Sequence, residues 1–258
     1  MPTFDRLITG GTLVDGTGHA PFTADIGIKD GNIAAVGRDL GSASETIKAD
    51  GLAVTPGWVD IHTHYDAQAT WDPELLQSSL HGVTSAVLGN CGVGFAPAMP
   101  ERHAWLINLM EGVEDIPGVS LSAGLNWDWE SFPEYIDALE RTPRSIDVGT
   151  QMGHGALRAY VMGQRGADNE VATEDDSKAM AALIKEGMAA GALGFTSSRT
   201  EIHIDIHGVP VPGTYASAEE LIPLASAVRE SGHGLMEMVL AGVGGENYPG
   251  LDREMALV

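Results

Sequence analysis

From residue 52 onward, apolar runs of strand length alternate with segments that carry helix signals. Strands that alternate with helices in this way form a parallel sheet with the helices packed outside it. The sequence therefore predicts an α/β fold for this part of the chain. The predicted strands cover residues 53–61, 83–88, 146–151, 192–196 and 234–240.

The helix signals lie between these predicted strands. Ser131 and Glu134 fit the Ser-x-x-Glu capping-box pattern, and so do Ser217 and Glu220. A helix is predicted from residue 217 to about 231, ending before a glycine, and another over 173–191. Residues 92–130, with three tryptophans and several glycines, are interpreted as a long connection.

Residues 1–55 follow a different pattern, in which short strands are separated by glycine-containing turns. The strands predicted at 24–29 and 32–36 flank Asp30-Gly31, a strong hairpin signal. We therefore predict a small β-sandwich-like domain over 1–55 and an α/β domain over 56–258. Five strands in the second domain suit either part of a (β/α)₈ barrel, which needs eight, or a small doubly wound sheet.

Charge and cysteine content narrow the functional classes. The formal net charge of −22 disfavours nucleic acid and anionic membrane surfaces as partners, and solubility is its simplest explanation. The sequence shows neither an apolar stretch of about 18 residues nor a basic-then-apolar leader, so a cytoplasmic protein is expected. Cys91 is the only cysteine, which excludes an internal disulfide.

His62 and His64 form the most specific chemical feature. They follow the apolar segment 53–61, and side chains at positions i and i+2 of a strand share one face. Although a lone histidine is more often a core residue, two imidazoles aimed into one small volume suit a divalent metal. The pair therefore predicts a metal site at the carboxyl end of a strand, where barrel active sites are built.

Residues 55–66 (TPGWVDIHTHYD) resemble the first barrel strand of the amidohydrolase superfamily, and the preceding strands are similar to its small N-terminal β-domain. Residues 89–97 (GNCGVGFAP) resemble the GNCG motif of the N-acyl-D-amino-acid deacylases. The resemblance implies that 56–258 holds the first five β/α units of a metal-dependent barrel. It also implies that His62, His64 and Cys91 bind one or two zinc ions. Cys91 packed beneath a glycine-rich turn is the alternative.

Three further segments extend the resemblance over most of the chain. They are residues 153–158 (GHGALR), 191–198 (GALGFTSS) and 212–216 (PGTYA). His154 is a candidate for substrate binding or for a turn cap. Arg199 is a candidate partner for a substrate carboxylate, because its planar guanidinium group suits bidentate recognition. A surface ion pair is the alternative role for Arg199.

The histidines of a predicted loop are a separate case. His203 and His207 are expected on a solvated face, with a second metal site as the less favoured interpretation.

The sequence departs from the family pattern in its fifth strand. Family members carry a histidine there, whereas this chain has Glu237 at or near that place. A carboxylate also binds zinc, so we predict Glu237 as a further metal ligand. The aspartate that acts as the family's general base is expected beyond Val258, and the chain as printed is therefore expected to be catalytically incomplete.

The resemblance implies a hydrolase that converts N-acyl-D-amino acids into a carboxylate and a free D-amino acid. A cyclic-amide hydrolase of the dihydroorotase or hydantoinase type is the nearest alternative. Those enzymes commonly carry a metal-bridging lysine on strand four, and residues 192–198 contain none. A non-catalytic metal-binding module is the alternative from another class. The sequence leaves the oligomeric state open.

Overall fold

The computed structural model describes residues 3–242 together with 254 and 255. The chain divides into two compact units, Met1–Trp58 and Val59–Val258. The domain organisation predicted from the sequence, with a truncated barrel as its second part, stays a prediction.

The first unit is a five-stranded sheet in the order β3-β2-β1-β4, with β5 also paired to β1. The pairs β1–β2 and β2–β3 are antiparallel, whereas β4 and β5 run parallel to β1. The predicted hairpin is confirmed, because β2 and β3 are joined at Asp30 and Gly31, both with positive φ. The strands are β1 Phe4–Leu13, β2 Phe22–Lys29, β3 Asn32–Gly37, β4 Ala43–Lys48 and β5 Ala53–Val54.

The second unit is a mixed α/β structure with two three-stranded sheets, β6-β7-β8 and β9-β10-β11. The pairs β7–β8, β9–β10 and β10–β11 are parallel. Gln151 separates β8 from β9, and its N–H donates to the carbonyl of Leu88 at 3.0 Å. The strands are β6 Trp58–Asp60, β7 Val83–Leu88, β8 Asp147–Thr150, β9 Met152–Gly153, β10 Gly194–Ser198 and β11 Leu235–Val239.

Eight α-helices lie in the described part of the second unit. One large apolar cluster joins six of them to the strands, with Phe95, Tyr135 and Phe195 among its most buried members. The helices are α1 Leu76–Ser79, α2 His103–Glu114, α3 Gly118–Gly124, α4 Phe132–Arg141, α5 His154–Met162, α6 Gln164–Ala167, α7 Glu174–Ala190 and α8 Ala218–Glu230. Within residues 3–242 and 254–255, none of the helices combines the length and the apolar character needed to cross a membrane.

The helix starts show which capping signals the fold uses. The box at Ser131 and Glu134 is confirmed, and Thr173 makes an equivalent one with Asp176 at the start of α7. Ser217 is the N-cap of α8 but makes no side-chain capping bond. The predicted box fails there because the Glu220 side chain is buried and bonded elsewhere in the core.

Two predictions about elements are wrong. The strand predicted over 53–61 is divided, because β5 pairs in the first unit whereas β6 pairs with β7. Pro56 lies at the break and has no N–H to donate to a ladder. The connection predicted over 92–130 contains α2 and α3, because the fold buries apolar residues of both helices, such as Leu109 and Leu121.

Candidate metal centre

Three side chains converge at the carboxyl ends of β6 and β7. His62 and His64 follow β6 and their rings lie 5.3 Å apart, edge to face. His62 Nε2 lies 3.2 Å from the sulfur of Cys91, which follows β7. One potential ligand atom from each of the three lies within 4.8 Å of the others. This spacing is compatible with ligands around one metal ion.

The turn that carries Cys91 depends on its flanking glycines. Cys91 has a φ of 56°, and Gly89 and Gly92 have values of 76° and 73°. A Cβ on Gly89 would lie 2.0 Å from the carbonyl oxygen of Gln151, and one on Gly92 would lie 2.7 Å from the nitrogen of Ser198. Glycine is therefore required on both sides, because the backbones approach too closely for a side chain.

Buried hydrogen bonds hold this turn in place. The Asn90 amide donates to the carbonyls of Thr63 and Val87, each at 2.9 Å. The N–H of Gly92 donates to the hydroxyl of Thr196 at 3.0 Å, and that hydroxyl donates to the Gly89 carbonyl. The position of Cys91 is thus tied to the segment after β6, to β7 and to the middle of β10.

Glu237 approaches the cluster from β11. Its Oε1 lies 3.4 Å from Nδ1 of His62, on the opposite side of the ring from Cys91. This oxygen is buried and makes no hydrogen bond. In this arrangement Cys91 and Glu237 face different nitrogens of one imidazole, so Glu237 is not part of the compact group of three. Its assignment as a ligand stays a prediction.

Two acidic residues near the histidines are not among the residues predicted from the sequence. Glu114, the last residue of α2, places Oε1 3.2 Å from Nε2 of His64. Asp66 is buried, and neither carboxyl oxygen makes a hydrogen bond. Glu114 lies in the segment interpreted as a connection. Asp66 stands two residues after His64, so its spacing was the available signal.

The electrostatics of the cluster favour a cation. Burial, followed by the charges of Glu114, Glu237 and Asp66, raises the pKa of the Cys91 thiol to about 12. Burial, followed by repulsion from His62 and His203, lowers the pKa of His64 to about 4. The thiol is therefore protonated at neutral pH unless a cation is present, whereas His64 is neutral and offers a lone pair.

The carboxyl groups show the same effect of burial. Burial raises the pKa of Asp66 to about 7, with a further contribution from the charge of Glu114. Burial and the neighbouring Asp115 raise that of Glu114 to about 7.

The donor set fits a divalent ion of the zinc type. Imidazole nitrogen, thiolate sulfur and carboxylate oxygen are the ligands that zinc takes in proteins. In addition, Nδ1 of His64, within the compact group, is buried without a hydrogen-bond partner. Buried polar atoms are normally paired, so an unpaired imidazole nitrogen within this donor set is consistent with a ligand of a metal ion.

The sequence profile of the amidohydrolase family matches residues 45–248. The chain belongs to the amidohydrolase family. The resemblance drawn from residues 55–66 and 89–97 is thereby confirmed.

Individual relatives of this amidohydrolase agree with that assignment. A D-aminoacylase of Alcaligenes xylosoxydans xylosoxydans is 34% identical over 233 residues, which is 90% of this chain and 43% of the relative. An uncharacterized protein of Mycobacterium tuberculosis is 36% identical over 241 residues, 89% of this chain and 39% of that protein. The chain thus spans less than half the length of these relatives.

A solved structure extends the comparison to the fold. The N-acyl-D-glutamate deacylase of Bordetella bronchiseptica, complexed with zinc and a phosphonate inhibitor, is 32% identical with a TM-score of 0.72. The match covers 91% of this chain and 44% of that deacylase.

The two residues predicted to bind substrate are both buried in this amidohydrolase. His154, the first residue of α5, lies between the hydroxyl of Ser197 and a carboxylate oxygen of Glu220, each at 2.9 Å. Arg199 directs its fork at Glu254, with Nη2 and Oε1 3.1 Å apart. Both side chains are thus engaged within the protein, and their roles in substrate binding stay predictions.

The two loop histidines differ from each other. His207 is exposed, as the sequence predicts. His203 is half-buried, with Nδ1 2.9 Å from the hydroxyl of Ser198, and its charge lowers the pKa of His64. The predicted solvated face therefore holds for His207 only.

Proposed function

We propose that this amidohydrolase, in its full-length form, hydrolyses N-acyl-D-amino acids to a carboxylate and a free D-amino acid. The observation that carries the proposal is the convergence of His62, His64 and Cys91 within 4.8 Å. The similarity to a D-aminoacylase and to an N-acyl-D-glutamate deacylase supports the substrate class.

We also propose that the second unit forms the first five strands of a (β/α)₈ barrel. Parallel pairing in the sequential order β7-β8 and β9-β10-β11 supports this architecture. The N–H of Gln151 bonds to Leu88 and that of Leu193 bonds to Thr150, which links the two sheets across the break at Gln151. The metal cluster then lies at the carboxyl ends of the strands, where barrel enzymes carry their active sites.

The residues of the centre have distinct roles in this proposal. His62, His64 and Cys91 hold the ion, and Asn90 and Thr196 keep the cysteine turn rigid through their buried hydrogen bonds. A bound zinc ion supplies Lewis-acid polarisation of the scissile carbonyl and lowers the pKa of water. Proton transfer is assigned, by the family resemblance, to an aspartate beyond Val258, which stays a prediction.

The test is an assay of the full-length protein on paired substrates. N-acetyl-D-amino acids are expected to be hydrolysed, with their L-enantiomers far slower, and a chelator is expected to abolish turnover until zinc is restored. Hydantoin and dihydroorotate serve as cyclic-amide competitors. Preferential opening of either ring would contradict the proposal in favour of a cyclic-amide hydrolase, and metal binding without any turnover would indicate a binding module.

A further inference from the structure

Gln151 is a buried polar residue that the proposed centre does not yet explain. It lies between β8 and β9 and is 3% exposed. Its Nε2 donates to Oδ1 of Asn90 at 3.0 Å and to Oε2 of Glu237 at 3.2 Å. Both amide hydrogens are therefore directed at acceptors.

The neighbours fix the orientation of this amide. The Asn90 NH₂ group donates to two carbonyls, so its Oδ1 faces Gln151 as an acceptor. A flipped Gln151 amide would set its own oxygen against this acceptor and against the Glu237 carboxylate.

The burial of Gln151 has a cost in stability. Its Oε1 is buried and makes no hydrogen bond. An unsatisfied buried acceptor destabilises the fold, and an apolar side chain of similar size would avoid that penalty. Packing alone thus does not explain an amide at this position.

The effect of the amide is clearest at Glu237. Gln151 holds Oε2, whereas Oε1 is left without a hydrogen bond, 3.4 Å from His62 Nδ1. Histidines that bind metals commonly hold their second ring nitrogen against a carboxylate, and that carboxylate is in turn hydrogen-bonded, which fixes the orientation of both groups. We propose that Gln151 is a positioning residue that orients Glu237 against Nδ1 of His62 and so supports metal binding at the proposed centre. The inference rests on the proposed metal centre.

A double-mutant cycle on the full-length protein tests this role, with cobalt(II) as the probe. Dissociation constants are measured by chelator competition for the parent, Gln151→Met, Glu237→Ala and the double variant. We expect Gln151→Met to weaken cobalt binding by about 10- to 100-fold. In the Glu237→Ala background the same substitution is expected to change binding by less than about 2-fold, because its target is gone.

Controls separate positioning from folding. Gln77→Met, at an exposed position, is expected to bind cobalt like the parent. Thermal unfolding without metal shows whether each variant folds. If Gln151→Met does not fold, Gln151→Asn replaces it in the cycle, since its shorter amide cannot reach both acceptors.

The outcomes are distinguishable. Three results would each overturn the positioning role while leaving the centre intact. Gln151→Met could weaken cobalt binding equally with and without Glu237, or it could leave cobalt binding unchanged. The third result is that Glu237→Ala binds cobalt like the parent. A parent protein that takes up no cobalt would overturn the proposed centre itself, and this inference with it.

Discussion

Cys91 combines an uncommon backbone conformation with a chemically active side chain. Left-handed φ is costly for a non-glycine residue, and here it turns the thiol toward His62. We predict that Cys91→Ser weakens zinc retention by at least about 10-fold, on the scale of lost metal-site contacts, because a hydroxyl is a poorer zinc ligand than a thiolate. Zinc dissociation constants measured by chelator competition check this. A serine variant that retains zinc like the parent would make Cys91 a packing residue.

His154 gives the protein a dependence of stability on pH. Burial lowers its pKa from 6.5, so the unfolded chain binds the proton more readily than the native chain. Its contribution is present above pH 6.5 and is lost as the pH falls toward its folded value. Although burial raises the pKa of Glu220, its bonds to His154 and Arg158 lower it overall, so that carboxylate adds a loss below pH 4.5.

The matching substitution is His154→Gln. We expect it to reduce the fall in the free energy of unfolding between about pH 6.5 and 4.5, by at most about 1.4 kcal/mol per pH unit. Urea unfolding in the presence of chelator, at several pH values, measures the slope. The exposed His81→Gln is the control. A His154→Gln slope identical to that of the parent would show that His154 does not titrate on unfolding.

The site residues that can be predicted from the sequence are those that belong to a short local motif. His62 and His64 are two residues apart on one strand end, and Cys91 stands in a glycine-rich turn, so both signals are local. Glu114 and Gln151 come to the same place only through tertiary packing of α2 and of the β8–β9 segment. No periodicity in their own neighbourhoods marks them.

At the scale of elements, two helices that share the Ser-x-x-Glu pattern use it differently. Ser131 accepts from the backbone of Glu134, whereas Ser217 makes no capping bond. We predict that Ser131→Ala destabilises the protein by about 1 kcal/mol and Ser217→Ala by only a few tenths. Chemical unfolding of both variants against the parent tests this. Equal losses would mean that the hydroxyls contribute alike.

The elements that the sequence predicted correctly carry strong periodicity or clear ends. Helix α7, from a capped Thr173 to a left-handed Gly191, and strand β7 are examples. Helix α5 was not predicted because His154 and Arg158 interrupt its apolar pattern. Both side chains are nevertheless buried, and both bond to the buried carboxylate of Glu220. In the sequence, polar residues of a buried hydrogen-bond network cannot be distinguished from polar residues that are exposed to solvent.

On the scale of the whole molecule, α8 and β11 form an apolar groove of about 440 Å³. Leu221, Met236 and Met238 are among its lining residues. The apolar character of β11 is predictable from residues 235–240 of the sequence. The groove itself depends on how α8 packs against β11, and such packing between distant segments cannot be predicted from one sequence.

The central claim is that His62 and His64, together with Cys91, hold zinc in this amidohydrolase. Elemental analysis of the full-length protein, its His62→Ala/His64→Ala variant and an exposed control, His81→Ala/His233→Ala, tests it most directly. We expect one or two zinc ions per chain in the parent and the control, and at least one fewer in the His62/His64 variant. Equal zinc content in all three proteins would contradict it.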